Sequence, residues 1–215
     1  MKTFSDHYRE LQEIVADKLQ NASGCHDDDH TLRVCRNAEL LCEELTSANA
    51  EIVRTAALLH DIARPEEMAS KGKLCHAVLG AENVSALLQG RFEDDFIQQV
   101  VRAVRTHRFR DDQVPESLEA QIVYDADKLD SLGAVGIGRS FLFAGRENAR
   151  LHNRAEEALN SPAYSREDTA YREYLVKLRF LPQKMLTVPG KRLAAERAAF
   201  MDRFFEELNR ETEIS

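Results

Sequence analysis

The chain has 215 residues, 29 Lys or Arg against 37 Asp or Glu, for a formal net charge of −8. That balance argues against a dedicated binder of duplex nucleic acid or of an anionic membrane surface, which would carry a basic stripe, and no apolar run approaches the ~20 residues of a membrane span. A hydrophobic content of 43% excludes wholesale disorder, and 9 glycines with 5 prolines are too few for a turn-rich β fold.

In chain order, Phe4, Tyr8, Leu11, Val15 and Leu19 recur at three- and four-residue steps and predict an amphipathic helix over residues 3–20. Residues 21–24 supply turn chemistry, and the acidic run Asp27-Asp28-Asp29 suits the N-terminus of a second helix over 28–46. Asn49 caps a third, carrying Ile52, Val53, Ala56, Ala57, Leu59, His60 and Ala63 and stopped by Pro65. Residues 64–73 read as a polar hinge, followed by helices at 74–89, 93–107 and 117–130. The glycines of Leu132–Gly138 allow close backbone approach and are no dinucleotide fingerprint, because no strand precedes them. Residues 145–165 read as loop, and two charged helices at 166–186 and 191–211, split by Pro189-Gly190, end an all-α chain.

The N-terminus lacks the apolar stretch of a signal peptide, and Cys25, Cys35, Cys42 and Cys75 show no C-x-x-C spacing. Both features predict a reducing, cytoplasmic setting with the cysteines as small packing residues. His7 and His152 read as surface residues, and His26 as structural beside the Asp27 cap.

Five of the seven histidines fall between residues 26 and 107. His60 shares the apolar face of the third helix, and Asp61 beside it sits at the helix end. An inward imidazole next to an inward carboxylate is costly to bury without a partner, and a divalent cation fills that need. Neighbouring helical side chains diverge by ~100°, so both reach one ion only near the helix terminus. Further donors must come from other helices; His30 and Asp127 lie on faces with apolar anchors and make a His/His/Asp/Asp set suited to Mn²⁺, Fe²⁺, Co²⁺ or Zn²⁺.

The order His30, then His60-Asp61 within Ala56–Ala63, then Asp127 within Asp125–Asp130, resembles the H…HD…D signature of the HD-domain superfamily of metal-dependent phosphohydrolases. The likeness extends through Asp27-x-x-His30-x-x-Arg33-Val34, Arg36-Asn37-Ala38 and Asp130-x-x-Gly133-Ala134-x-Gly136-Ile137-x-Arg139, and is similar to small bacterial HD hydrolases, some of them nucleotide pyrophosphohydrolases. The resemblance implies an HD-domain helical bundle, a single domain over 1–215, with its core at 20–145, an N-terminal helix, and a C-terminal helical extension at 146–215.

By the same resemblance the metal ligands are His30, His60, Asp61 and Asp127, with Asp125 a rival for the last position. His76 and His107 fall where a binuclear branch places extra ligands; otherwise they act in catalysis by contacting phosphate or protonating the leaving group. Arg33, Arg64 and Lys128 are the candidate substrate-binding cations, Lys128 also counted with the catalytic groups. The implied cofactor is one divalent ion, Mn²⁺, Fe²⁺, Co²⁺, Zn²⁺ or Mg²⁺, with room for a second at His76/His107. The implied reaction is attack of metal-activated water on phosphorus. The substrate is a small phosphorylated compound, a nucleotide first, split to monophosphate and pyrophosphate or losing its terminal phosphate. The glycine-tyrosine-proline motif of the cyclic-di-GMP phosphodiesterases is absent. The rivals are a di-iron oxygenase of HD type and a catalytically silent nucleotide-binding module. The Phe141-Leu142-Phe143 cluster is compatible with core packing or a homodimer contact.

Overall fold

The computed structural model describes residues 2–20, 28–70, 72–108 and 113–212. The expected turn at 21–24, and the roles given to Cys25, His26 and Asp27, lie outside these residues. Among the described residues the secondary structure is entirely helical, as expected, and none of the helices is long and apolar enough to cross a membrane. The chain divides into two compact units, Met1–Asp127 and Lys128–Ser215.

The first unit holds α1 (Phe4–Leu19), α2 (Asp28–Glu44), α3 (Ala50–Leu59), α4 (Arg64–Ala69), α5 (His76–Leu88), α6 (Asp94–Thr106) and nearly all of α7 (Leu118–Leu129). Helix α1 opens with a capping box: the Thr3 hydroxyl accepts from the Asp6 N–H, and the Asp6 carboxylate accepts from the Thr3 N–H at 2.9 Å. The expected Asn49 cap forms, its Oδ1 accepting from the N–H groups of Glu51 and Ile52. Helix α3 is the hub. It packs against α1, α2 and α6, and Ile52, Val53, Ala56, Ala57 and Leu59 are all buried. Helix α6 presents Ile97, Val100, Ala103 and Val104 on one buried stripe and packs on α5 as well.

Pro65 does not end the third helix. Helix α3 stops at Leu59, residues 60–63 form turns, and Pro65 stands in the first turn of α4, where its missing N–H has no intrahelical acceptor to lose. The segment expected to be a plain hinge therefore contains a helix.

The second unit contains α8 (Gly133–Arg146), α9 (Ala155–Asn160), α10 (Ala170–Val176), a 3₁₀ segment (Leu178–Lys184) and α11 (Val188–Thr212). Three expectations change here. The 145–165 stretch is not all loop, since it includes α9. The helix expected over 166–186 breaks into α10 and the 3₁₀ segment, which carries Pro182. Pro189-Gly190 does not split a helix but lies in the first turn of α11. His152 is half-buried, stacked on Tyr171 and within hydrogen-bond reach of Asn209 and Thr212. In the first unit His7 is half-buried against Phe92, so neither histidine is a plain surface residue. Cys35 and Cys42 are half-buried free thiols, whereas Cys75 is exposed just before α5, its Sγ 3.9 Å from Arg108 Nη1, and is no buried packing residue. Phe141 meets Phe204 edge-on and Phe143 meets Tyr164, leaving Leu142 exposed between them.

Candidate metal centre

The chemistry-bearing residues of the first unit sit at helix ends. His30 lies in the first turn of α2, His60 caps the C-terminus of α3, and Asp61 opens the turn beyond it. His76 is the first residue of α5, His107 caps the C-terminus of α6, and Asp127 is in the last turn of α7. His60 itself keeps helical backbone angles (φ −58°, ψ −38°), and the chain turns at residues 60–63, so Asp61 stands beyond the last residue of α3.

Two groups of donors result, His30/His60/Asp127 and Asp61/His76/His107. In the first, His30 Nε2 lies 3.3 Å from His60 Nε2 and 3.6 Å from Asp127 Oδ1. In the second, His76 Nε2 is 3.1 Å from His107 Nε2 and 2.9 Å from Asp61 Oδ1, which is also 3.7 Å from His107 Nε2. Asp61 stands between them, with Oδ2 3.7 Å from His30 Nε2 and 3.8 Å from His60 Nε2. All four imidazoles and Asp61 are at most 4% exposed, while the Asp127 side chain is 17% exposed and opens the first group toward solvent.

Hydrogen bonds decide which nitrogens face inward. His60 Nδ1 donates to the Ala57 carbonyl at 2.8 Å, and His107 Nδ1 donates to the Val104 carbonyl at 2.6 Å. His76 Nδ1 lies 2.7 Å from Glu67 Oε2, 3.0 Å from Arg64 Nη1 and 3.4 Å from Arg108 Nη1; the carboxylate is the acceptor among these and the shortest contact, which assigns the proton to Nδ1. A neutral ring bonded this way at Nδ1 turns a bare lone pair inward at Nε2. Burial pushes the His60 imidazole down to about 4, against the pull of Asp61, so that ring is neutral at pH 7.

Inward imidazole nitrogens 3.1–3.3 Å apart, with two carboxylates among them, form a buried, donor-rich pocket in which a cation is the economical partner. The spacings also fit: donors ~2.1 Å from a shared ion stand roughly 3.0–3.5 Å apart at tetrahedral or octahedral angles. The mixed imidazole and carboxylate set suits a borderline divalent ion, and the Nδ1 bonds are the outer contacts such histidines require.

Helix α7 is held in register by Asn37, whose buried Nδ2 donates to the Ala126 carbonyl at 3.1 Å, between Asp125 and Asp127. Asn37→Ala is expected to lower stability by about 1–3 kcal/mol, measured in denaturant, by leaving that carbonyl without its amide donor. Asp125 is fully buried but belongs to neither donor group. Of the cations expected near the site, Arg33 is half-buried one turn beyond His30. Arg64 Nη1 is engaged by Glu67 Oε2 at 2.6 Å. Lys128 follows Asp127 in the last turn of α7 and begins the second unit. In that unit Arg139 Nη1 donates to Asp130 Oδ2 at 2.7 Å.

Glu67, which the sequence reading did not single out, meets His76, Arg64 and Arg108 beside the second donor group. Burial alone would raise its carboxyl, but the hydrogen bond from His76 and the charges of Arg64 and Arg108 hold it below the usual glutamate value. A carboxylate between the His60-Asp61 pair and His76 was a visible signal, yet Glu66 and Glu67 are adjacent and only the fold separates them.

Residues 27–132 match the HD domain family. The uncharacterized protein YpgQ of Bacillus subtilis is 31% identical over 210 residues, covering 94% of this chain and 92% of its own. The structure of YpgQ in complex with ADP superposes with a TM-score of 0.75 at 28% identity, covering 99% of this chain and 98% of that one. An HD-superfamily hydrolase from Bacillus thuringiensis gives 0.76 at 27% identity, covering 99% of this chain and 100% of that one.

Proposed function

This chain belongs to the HD domain family, and on that premise we propose that it is a divalent-metal-dependent phosphohydrolase acting on a small phosphorylated substrate, a nucleotide first. One observation carries the reading: the two oxygens of Asp61 face two histidine pairs, His30/His60 and His76/His107, in a buried pocket that Asp127 opens to solvent. Support for the nucleotide comes from YpgQ, which was solved with ADP. Triphosphate cleavage to monophosphate and pyrophosphate, and loss of the terminal phosphate, are the two reactions in view.

In this reading His30, His60 and Asp127, joined by Asp61 Oδ2 at 3.7–3.8 Å from the two imidazoles, would hold one divalent ion, and Asp61 with His76 and His107 would hold a second. Ions bound there lower the pKa of water toward ~7 and polarise a phosphoryl oxygen. The chain's own contribution is orientation and charge. The Nδ1 bonds to Ala57, Val104 and Glu67 hold three imidazoles in the donor tautomer, which favours ligation over proton donation for His76 and His107. Arg33, Arg64 and Lys128, beside His30, the His60-Asp61 pair and Asp127 in sequence, are the candidate phosphate-binding cations, Arg64 also holding Glu67.

The deciding experiment is metal analysis of purified protein joined to a nucleotide screen with Mn²⁺, reading phosphate and pyrophosphate separately. Release of either supports the proposal; release of neither from any nucleotide overturns it. Bound iron with an oxygen-sensitive optical band would move the assignment to an oxygenase using the same second donor set. Unchanged nucleotide affinity without turnover would mark a binding module. Chelation supplies an independent measure: stripping ions present at about 100 times their Kd should lower Tm by about 5–10 °C, with recovery on adding Mn²⁺.

A further inference from the structure

His60 and His107 sit at helix C-termini, where carbonyls left without intrahelical partners lie within reach; each ring donates Nδ1–H to the carbonyl three residues back. His76 sits at the opposite end of a helix, the first residue of α5, where the backbone offers N–H groups instead of acceptors. Its Nδ1–H needs an acceptor from another element, and α4 brings one in Glu67 Oε2 at 2.7 Å.

Two arginines hold that carboxylate. Arg64 Nη1 is 2.6 Å from Oε2, and Arg108 Nη1 is 2.8 Å from Oε1. Arg64 is three residues beyond Asp61 and Arg108 is one beyond His107, so the chain beside each member of the second donor group meets at Glu67. The Glu67 side chain is only 14% exposed, where a carboxylate is costly unless paired in this way.

We propose that Glu67, clamped by Arg64 and Arg108, is a positioning residue that fixes His76 with Nε2 turned inward and thereby governs loading of the second ion. The inference rests on the reading of Asp61, His76 and His107 as a metal-binding group. A carboxylate partner also makes the ring a stronger donor than a carbonyl partner does. The second group thus has a control on its affinity that the His30/His60 pair does not draw from Glu67.

Two readouts test it, neither depending on turnover. Calorimetric titration of metal-free protein with Mn²⁺ should show a second equivalent weakened roughly 10–100-fold in Glu67→Ala, with the first unchanged and Glu67→Gln intermediate. In metal-free protein, ¹⁵N shifts of His76 should report the Nδ1–H tautomer in wild type and a shift toward Nε2–H in Glu67→Ala. The isosteric Gln variant, checked by near-UV circular dichroism, separates this role from general loss of structure. Wild-type affinities for both equivalents in Glu67→Ala, with an unmoved tautomer, would overturn the role of Glu67 and leave the two-ion reading intact. A single equivalent in wild type at saturating Mn²⁺ would remove the two-ion reading, and this inference with it.

Discussion

Asp61→Asn is expected to abolish loading at both donor groups and to lower turnover by at least about 10³-fold. Among the described residues Asp61 is the carboxylate that faces both groups: its Oδ1 stands 2.9 Å from His76 Nε2, and its Oδ2 3.7 Å from His30 Nε2. Asparagine keeps the volume and removes the charge, so the loss is not one of packing. It leaves Asp127 as the one carboxylate in the two groups, and that side chain is the most exposed of the set. The comparison variants should divide the effect. Asp127→Ala should empty the first group before the second, and His107→Ala the second alone. Elemental analysis after Mn²⁺ loading and desalting gives ions per chain, and the metal-dependent rise in Tm should disappear only in the Asp61 variant. Two Mn²⁺ retained per Asp61→Asn chain would show that its carboxylate does not join the groups.

The first donor group was legible because its parts carry local signatures. His60-Asp61 ends an apolar helical stripe, and a helix end is where adjacent side chains can converge. Asp127 lies in a segment with its own apolar anchors, Ile122 and Leu129, both fully buried. The division of labour within Asp61 was not legible, since which oxygen faces which histidine depends on how α5 and α6 approach α3. Glu67 was hidden for the same reason, and because a short polar segment with Pro65 reads as a hinge. The errors over Pro65 and Pro189 share a cause. A proline breaks a helix only beyond its first turn, and sequence alone leaves a proline at a boundary ambiguous between the end of one helix and the start of the next. The 3₁₀ segment around Pro182 escaped because apolar periodicity continues through it while the hydrogen bonding changes.

Gly136→Ala should destabilise the second unit by roughly 3 kcal/mol or more, at the upper end of what a forced overlap costs. Gly133, at φ +69°, turns the chain sharply into α8 and folds the preceding segment back onto the helix. A Cβ on Gly136 would then lie 2.2 Å from the Ser131 carbonyl oxygen and 2.4 Å from its carbon. Those are backbone atoms, so no rotamer change relieves the overlap; either the turn or the first turn of α8 must move. The turn is pinned by neighbours, with Arg139 Nη1 donating to the Asp130 carboxylate and Arg197 Nη1 to the Leu129 carbonyl at 2.6 Å. Gly138, two residues on, supplies the contrast. It is exposed within the same helix, has no atom within 4 Å of a built Cβ, and is not in the left-handed region. Gly138→Ala should raise stability by about 0.5–1 kcal/mol, because alanine loses less backbone entropy in a helix. Denaturant midpoints at unchanged slope should therefore move in opposite directions for the two substitutions. Equal, small shifts would mean that the segment before α8 has room to yield and that the glycine at 136 is not required by close backbone approach.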